Sequence, residues 1–268
     1  GTDAIYDQYH NRELHIPMNE ETTATLTVND STTNVTPSNL TMTREGLAGY
    51  AVDFNGGTSY LKYGTGLADP TANCTTYMSV VAHIVPDSAS DNRYIISQED
   101  TDAEKFYIRL NSSNQVEARV WYSDDGAVDL TSGAVVPTDG YTPSVIILTA
   151  DTTSREGNIK LYVNGKIEDQ TGLVDATGTT DNWKTNATLN SDNGYLYVGN
   201  SGAAQTHAFD GRIEEVVVYK DLIYPVDIKS GKYTLTKPLK ELNSNGKRQA
   251  YSSVLFAKDY HNIRGKKP

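Results

Sequence analysis

The sequence predicts an all-β chain of antiparallel strands, folded as a sandwich or a barrel, and three observations carry that reading. Short runs with an apolar residue at every second position recur along the chain, as in Ile159-Lys160-Leu161-Tyr162-Val163 and Phe106-Tyr107-Ile108-Arg109-Leu110. Strand side chains alternate between faces, so this pattern buries one face and wets the other. The runs are punctuated by turn-forming pairs, the strongest being Asn164-Gly165 between IKLYV and KIED, because a two-residue hairpin turn requires positive φ at both central positions. No long run repeats with helical periodicity. A chain of 268 residues has length for one large β domain or two small ones.

Taken in order, residues 14–19 (LHIPMN) form an edge strand ended by Pro17, and residues 24–28 alternate Leu26 and Val28 with threonines as a half-buried strand does. Residues 29–45, rich in Thr, Ser and Asn and broken by Pro37, read as a long loop. GYAVDFNGGTSYLKY supplies two strands around Asn55-Gly56-Gly57. Residues 77–85 make a longer apolar strand stopped by Pro86, and residues 94–97 a short one. Residues 106–110 and 116–121 pair through a turn at 111–115. SDDG at 123–126 turns again, residues 145–149 are a buried strand, and the Asn164-Gly165 hairpin follows. Residues 171–193 lack apolar periodicity and form a loop carrying Trp183. Residues 195–199 and 212–219 complete the set. The sandwich occupies residues 1–225. Residues 226–268 are a basic C-terminal extension, whose SVLFA run at 253–257 offers an edge strand or a surface for another chain.

Charge is distributed unevenly. The net charge is −11, yet residues 229–268 hold ten Lys or Arg against Glu241 and Asp259, a balance of +8, leaving 13 basic and 32 acidic residues over 1–228. An acidic body repels phosphate at long range, so nucleic acid is not the expected partner. The basic extension suits an acidic surface, either a protein partner or the chain's own body. Cys74 is the one cysteine, so no intrachain disulfide exists and a buried thiol is expected. No apolar run approaches membrane-spanning length. The amino terminus lacks the basic-then-apolar pattern of a signal peptide, so either export does not use one or the sequence begins after it.

Three motifs in series, GYAVDFNGGTSYL, IKLYVNGKI, and LYVGNSG followed by FDGRIEEVVVYKDLI, resemble in order and spacing the laminin-G-like, or concanavalin A-like, lectin and glucanase superfamily. The resemblance covers roughly residues 12–225. It implies two antiparallel sheets curved into a jelly roll, with ligands at the loop rim or on the concave sheet. The superfamily spans sugar-binding modules, adhesion domains, virion surface proteins and glycan-cleaving enzymes. An extracellular or cell-surface location, or a virion surface, goes with it.

Glucanase members carry two Glu flanking an Asp at alternate strand positions, acting as nucleophile and general acid. The nearest match here, Asp100-Thr101-Asp102-Ala103-Glu104, begins with Asp and lies between two strands without alternating apolar residues. The chain is therefore expected to be non-catalytic. Asp100, Asp102 and Glu104 are instead candidate ligands for Ca²⁺, a hard cation that collects carboxylate and carbonyl oxygens, although a solvated acidic loop is the simpler account of them. For a glycan or surface polysaccharide, aromatic rings stack on pyranose faces beside polar groups that bond the hydroxyls. Alternation turns Trp121 outward beside Glu117 and Arg119. Trp121 and the loop residue Trp183 are the candidate platforms, with Tyr162, Asp124 and Asp125 as further candidate ligand-binding residues. The five histidines have no metal-ligand spacing. The expected function is a surface module for glycan binding or adhesion. A virion or surface-assembly protein anchored through its basic tail is the alternative, and a polysaccharide-cleaving enzyme the third.

Overall fold

The computed structural model describes residues 12–18, 22–29, 32–46, 49–66, 68–88, 92–99, 104–123, 126–153, 159–171, 187–191, 194–202, 207–225, 240–242 and 248–250. Seventeen strands follow along them: β1 (Arg12–Ile16), β2 (Val35–Ser38), β3 (Leu40–Gly46), β4 (Gly49–Asn55), β5 (Tyr60–Tyr63), β6 (Tyr77–Pro86), β7 (Arg93–Glu99), β8 (Glu104–Leu110), β9 (Gln115–Tyr122), β10 (Gly126–Val135), β11 (Ser144–Asp151), β12 (Ile159–Val163), β13 (Lys166–Thr171), β14 (Leu196–Val198), β15 (Asp210–Tyr219), β16 (Lys240–Leu242) and β17 (Arg248–Ala250).

Two antiparallel sheets make the sandwich. One has eight strands in the order β13-β12-β11-β6-β15-β4-β3, with β1 also paired to β15. The other has seven, β10-β9-β8-β7-β14-β5-β2, and β16 and β17 pair separately. Between the two large sheets lies an apolar layer that includes Leu61, Ile96, Phe106, Ile108 and Val120 from the seven-stranded side, facing Phe54, Val80, Ile84, Leu148, Leu161 and Val218. The architecture is that of a jelly-roll sandwich.

Hairpins form where the pairing of patterns predicts them. Asn164 and Gly165 have φ of 51° and 83°, and Val163 pairs with Lys166, the geometry of a tight turn. Asn111 joins β8 to β9 by accepting hydrogen bonds from the Ser113 and Gln115 amides through its side-chain oxygen. The turn at Asn55-Gly56-Gly57 behaves differently. It sends β4 into the eight-stranded sheet and β5 into the other, so it is a crossing between layers, held by the Gly56 amide on the Phe209 carbonyl (2.9 Å).

Three stretches depart from the sequence reading. Residues 29–45 contain β2 and nearly all of β3, strands at the sheet margins where Thr36 and Thr41 are exposed and Thr43 is half-buried. Pro37 is accommodated because β2 is an edge strand. Residues 24–28 are not a strand: a short 3₁₀ turn covers Thr23–Thr25, the Thr25 hydroxyl donates to the Thr22 carbonyl (2.9 Å), and Leu26 and Val28 drop singly into the core. β10, which the sequence reading did not include, has inward Val128 and Leu130, and its outer edge is closed by acceptors from β13. The Thr131 amide donates to Asp169 and the Ala134 amide to Glu168 (2.9 and 2.8 Å). These contacts cap a row of edge amides that would otherwise invite another strand. The SVLFA run and most of the basic extension lie outside the described residues.

Gly199 shows how closely the layers meet. Its φ is +77°, and a Cβ there would overlap the Phe54 ring. Gly199→Ala should therefore lower unfolding stability by about 2–3 kcal/mol through strain and overpacking, while Gly133→Ala on the exposed strand β10 should change it by under about 0.5 kcal/mol. Urea unfolding of both variants checks the pair.

Candidate functional site

Because β8 and β9 turn Phe106, Ile108, Leu110, Val116, Ala118 and Val120 into the core, Tyr107, Arg109, Glu117, Arg119 and Trp121 must face outward. Register then sets these side by side. Tyr107 lies opposite Arg119 and Arg109 opposite Glu117, while Arg119 is also opposite Asp129, and Glu117 opposite Thr131, on β10. Tyr94 of β7 stands opposite Arg109. The result is a groove of about 270 Å³ lined by Tyr107, Arg109, Glu117, Arg119, Asp129 and Thr131.

Tyr107 lines the groove and belongs to an aromatic cluster that extends beside it. Tyr94, Tyr107 and Trp121 meet edge to face, with centroids 5.5 Å and 5.7 Å apart, and His207 tilts against Tyr94 at 6.2 Å. Guanidinium groups lie over the rings: Arg109 is 4.8 Å from the Tyr107 centroid and Arg119 is 5.1 Å from that of Trp121, in the range of cation–π attraction. Trp121 is thus only 9 % exposed. It stands on the predicted face, but its ring carries Arg119 and has little open surface for a sugar. Burial pushes the Tyr107 hydroxyl up to about 12, against the opposing pull of Arg109, so it stays a neutral donor.

Above the rings sit two ion pairs. Arg109 binds Glu117 through Nε and Nη2, both 2.8 Å from Oε2, and its Nη1 donates to the Tyr94 hydroxyl (3.3 Å). Asn111 donates to the other Glu117 oxygen (3.0 Å). Arg119 Nε lies 3.2 Å from Asp129 Oδ1, and these two side chains are 39 % and 62 % exposed. The first pair is locked in place, and the second is open.

The other predicted site residues are placed apart. Tyr162 is on the outer face of the eight-stranded sheet, packed with Val81, Val145, Ile147, Val217, Tyr219 and Ile223 and edge-on to Tyr224 at 6.4 Å. It lies on the opposite side of the sandwich from Trp121, so the two do not share a ligand. Trp183, Asp124, Asp125, Asp100 and Asp102 lie outside the described residues. Glu104 is exposed at the start of β8. It pairs in register with Glu99, whose carboxyl is raised by burial and then by the Glu104 charge. No group of three metal-ligating side chains converges among the described residues.

The residue after Glu104 does hold a buried charge. The Lys105 side chain is 1 % exposed, with Nζ 2.8 Å from Asp69 Oδ2 and 2.8 Å from the Thr71 carbonyl. Asp69 Oδ1 accepts from Gln98 (2.6 Å) and from the Thr71 amide (2.8 Å). Burial alone would raise the Asp69 carboxyl, but the bonds from Lys105 and Gln98 and the ammonium charge hold it below the ordinary value. This network pins the connection between β5 and β6 to β8. Cys74, in that connection, is a buried free thiol that burial pushes up to about 12.

Sequence reasoning placed Glu117, Arg109 and Arg119 on the outward face without assigning them to the site. It missed Asp129, because the apolar alternation of β10 is short, Val128 and Leu130 giving way to Thr131-Ser132-Gly133.

Fold and groove define a two-layer antiparallel sandwich of the jelly-roll class with a polar groove on one outer face. Residues 55–229 match the Laminin_G_3 model of the Concanavalin A-like lectin/glucanases superfamily, and the chain belongs to that family. Curated protein sequences contain no match to it. Among solved structures it is similar to the binding domain of Paraclostridial Mosquitocidal Protein 1, at 11% identity and TM-score 0.60, covering 83% of this chain and 52% of that one. It is similar to botulinum neurotoxin type C, from a study of its dependence on two ganglioside molecules for cell entry, at 12% identity and TM-score 0.59, covering 92% and 56%. Domain 4 of AbnA, a GH43 extracellular arabinanase from Geobacillus stearothermophilus solved with arabinotriose, aligns at 17% identity and TM-score 0.55, covering 82% and 97%. The alignments thus span about half the length of the two toxin chains. These likenesses establish the shared fold.

Removing one partner of a buried pair strands the other. Lys105→Met should cost about 3–5 kcal/mol, and Lys105→Met with Asp69→Leu should recover part of it, both read by chemical denaturation. The depressed Asp69 carboxyl also gives a sign in pH. Its stabilisation is complete above the ordinary carboxylate range and is lost as pH falls through its lowered value. Wild type should lose more stability than the double variant on acidification, measured as Tm from neutral pH downward.

Proposed function

We propose that this protein is a non-catalytic glycan-binding module of a cell or particle surface, with its ligand in the groove over β8, β9 and β10. The observation that carries the reading is the solvent-open Arg119–Asp129 pair, which lines a groove of about 270 Å³ beside Tyr107 while the Arg119 guanidinium rests on Trp121. That ring contact fixes the position of the guanidinium, and adjacent donors and acceptors match what sugar hydroxyls require. The arabinotriose in the arabinanase domain and the gangliosides named for the botulinum toxin agree with a role of this kind on this fold. Both groove carboxylates are engaged by arginines, an arrangement suited to holding a ligand.

A second reading concerns the extension. The outer face of the eight-stranded sheet is apolar at Val81, Val145, Ile147 and Val217, and the chain passes over it at Ile223 before entering the segment of +8 charge. This favours a module joined to a protein partner through its basic end.

Affinity electrophoresis in gels containing soluble polysaccharides tests the first reading. Wild type should be retarded by at least one polymer, Arg119→Ala should weaken retardation roughly ten-fold or more, as loss of a central contact does, and its Tm should stay within about 2 °C of wild type. Equal retardation of the two proteins would refute the site. For the second reading, a chain ending at Pro225 should keep the retardation and lose any partner captured by the full chain.

A further inference from the structure

We infer that the groove selects uncharged sugars and discriminates against acidic ones, by clasping a hydroxyl, or two neighbouring hydroxyls, between Arg119 and Asp129. The inference rests on the groove being the glycan site and adds the class of sugar that it takes.

The argument is an accounting of donors and acceptors. Arg109 commits three of its five N–H donors, Nε and one from Nη2 to Glu117 and one from Nη1 to the Tyr94 hydroxyl. Both oxygens of Glu117 are engaged in turn, one by Arg109 and the other by Asn111. That pair is a positioning element. Arg119 differs, because only Nε approaches a partner, Asp129 Oδ1 at 3.2 Å. Its two Nη groups have no partner among the described residues, and neither does the second oxygen of Asp129. Cation–π contact with Trp121 holds the guanidinium plane. A ligand therefore meets an N–H donor array and a carboxylate acceptor next to each other, with Thr131 also lining the groove.

A sugar hydroxyl accepts and donates at once, so it satisfies both halves of such a pair. A uronate or sialate carboxylate only accepts. It would satisfy Arg119 while bringing a second negative charge against Asp129, and like charges at that range repel. The surroundings do not relieve this. Within the groove two arginines face two carboxylates, Glu99 and Glu104 pair nearby on β7 and β8, and residues 1–228 carry 32 acidic against 13 basic residues. The field that an approaching anion meets is repulsive. The groove's volume, about 270 Å³, lies just under the ~300–1,000 Å³ that encloses a drug-sized ligand, which fits one or two sugar rings.

The test uses the full chain with galactan, linear arabinan, β-glucan and polygalacturonate in affinity gels, at 50 and 500 mM NaCl. Wild type should bind at least one neutral polymer, with less than about a two-fold change between the two salt concentrations, and polygalacturonate at least ten-fold more weakly. Asp129→Asn, an exposed and nearly isosteric change, should raise polygalacturonate binding at least five-fold without a matching gain for the neutral polymers. Arg119→Gln should weaken every interaction. Preference of the wild type for polygalacturonate, or no gain on Asp129→Asn, overturns the inference and leaves the groove as a glycan site. Silence toward all four polymers from a folded wild type removes the glycan reading and the inference together.

Discussion

The apolar layer between the two sheets is the constraint from which the groove follows. Each strand of the seven-stranded sheet that commits Ile96, Ile108 or Val120 to that layer must present its intervening residues on the other side, because a strand has only two faces. The outward set is therefore positioned by the inward one. A slip of one residue in β8 or β9 would drive Arg109 and Glu117 into the core, so the pressure that keeps the core apolar also keeps Tyr107, Arg109, Arg119 and Trp121 in register. The rigidity of the site is borrowed from the core beneath it.

Within that frame the two ion pairs play unequal parts. Arg109 and Glu117 are about a quarter exposed, hydrogen-bonded on several sides and stacked on tyrosine. They tie β7, β8 and β9 across the outer face. Arg119 and Asp129 sit nearer the edge of the sheet and stay open to solvent. An exposed ion pair contributes little to stability, which leaves it free to exchange its internal contact for one with a ligand. In the proposed reading, stability and recognition fall to neighbouring copies of the same chemical pair.

Lys105 illustrates a different use of charge. At the start of β8, next to Glu104, a lysine ammonium gathers a carboxylate oxygen and a main-chain carbonyl. It secures the connection between β5 and β6 to the sheet. In the linear sequence Lys105 is an unremarkable charged residue between Glu104 and Phe106. Its partner lies 36 positions away, and only packing brings the two together.

Much was legible from local order alone. The alternation in β8, β9 and β12, the continuous apolar runs of β6 and β11, and the Asn-Gly turn after β12 are short-range consequences of strand geometry, as is the outward direction of Trp121. The threonine-rich strands β2 and β3 escaped notice because half-buried edges need few apolar residues, and Leu26 and Val28 misled because apolar residues can reach a core without pairing as a strand. The sequence by itself determined which side of β8 and β9 is greasy and which is polar. Only the tertiary structure decided that Asp129 stands beside Arg119, that Trp121 and Tyr162 lie on opposite faces, and that Asn55-Gly56 links two sheets instead of one hairpin. Those facts depend on which strands become neighbours, and that choice is made by long-range packing of whole faces, not by the residues next to one another in the chain.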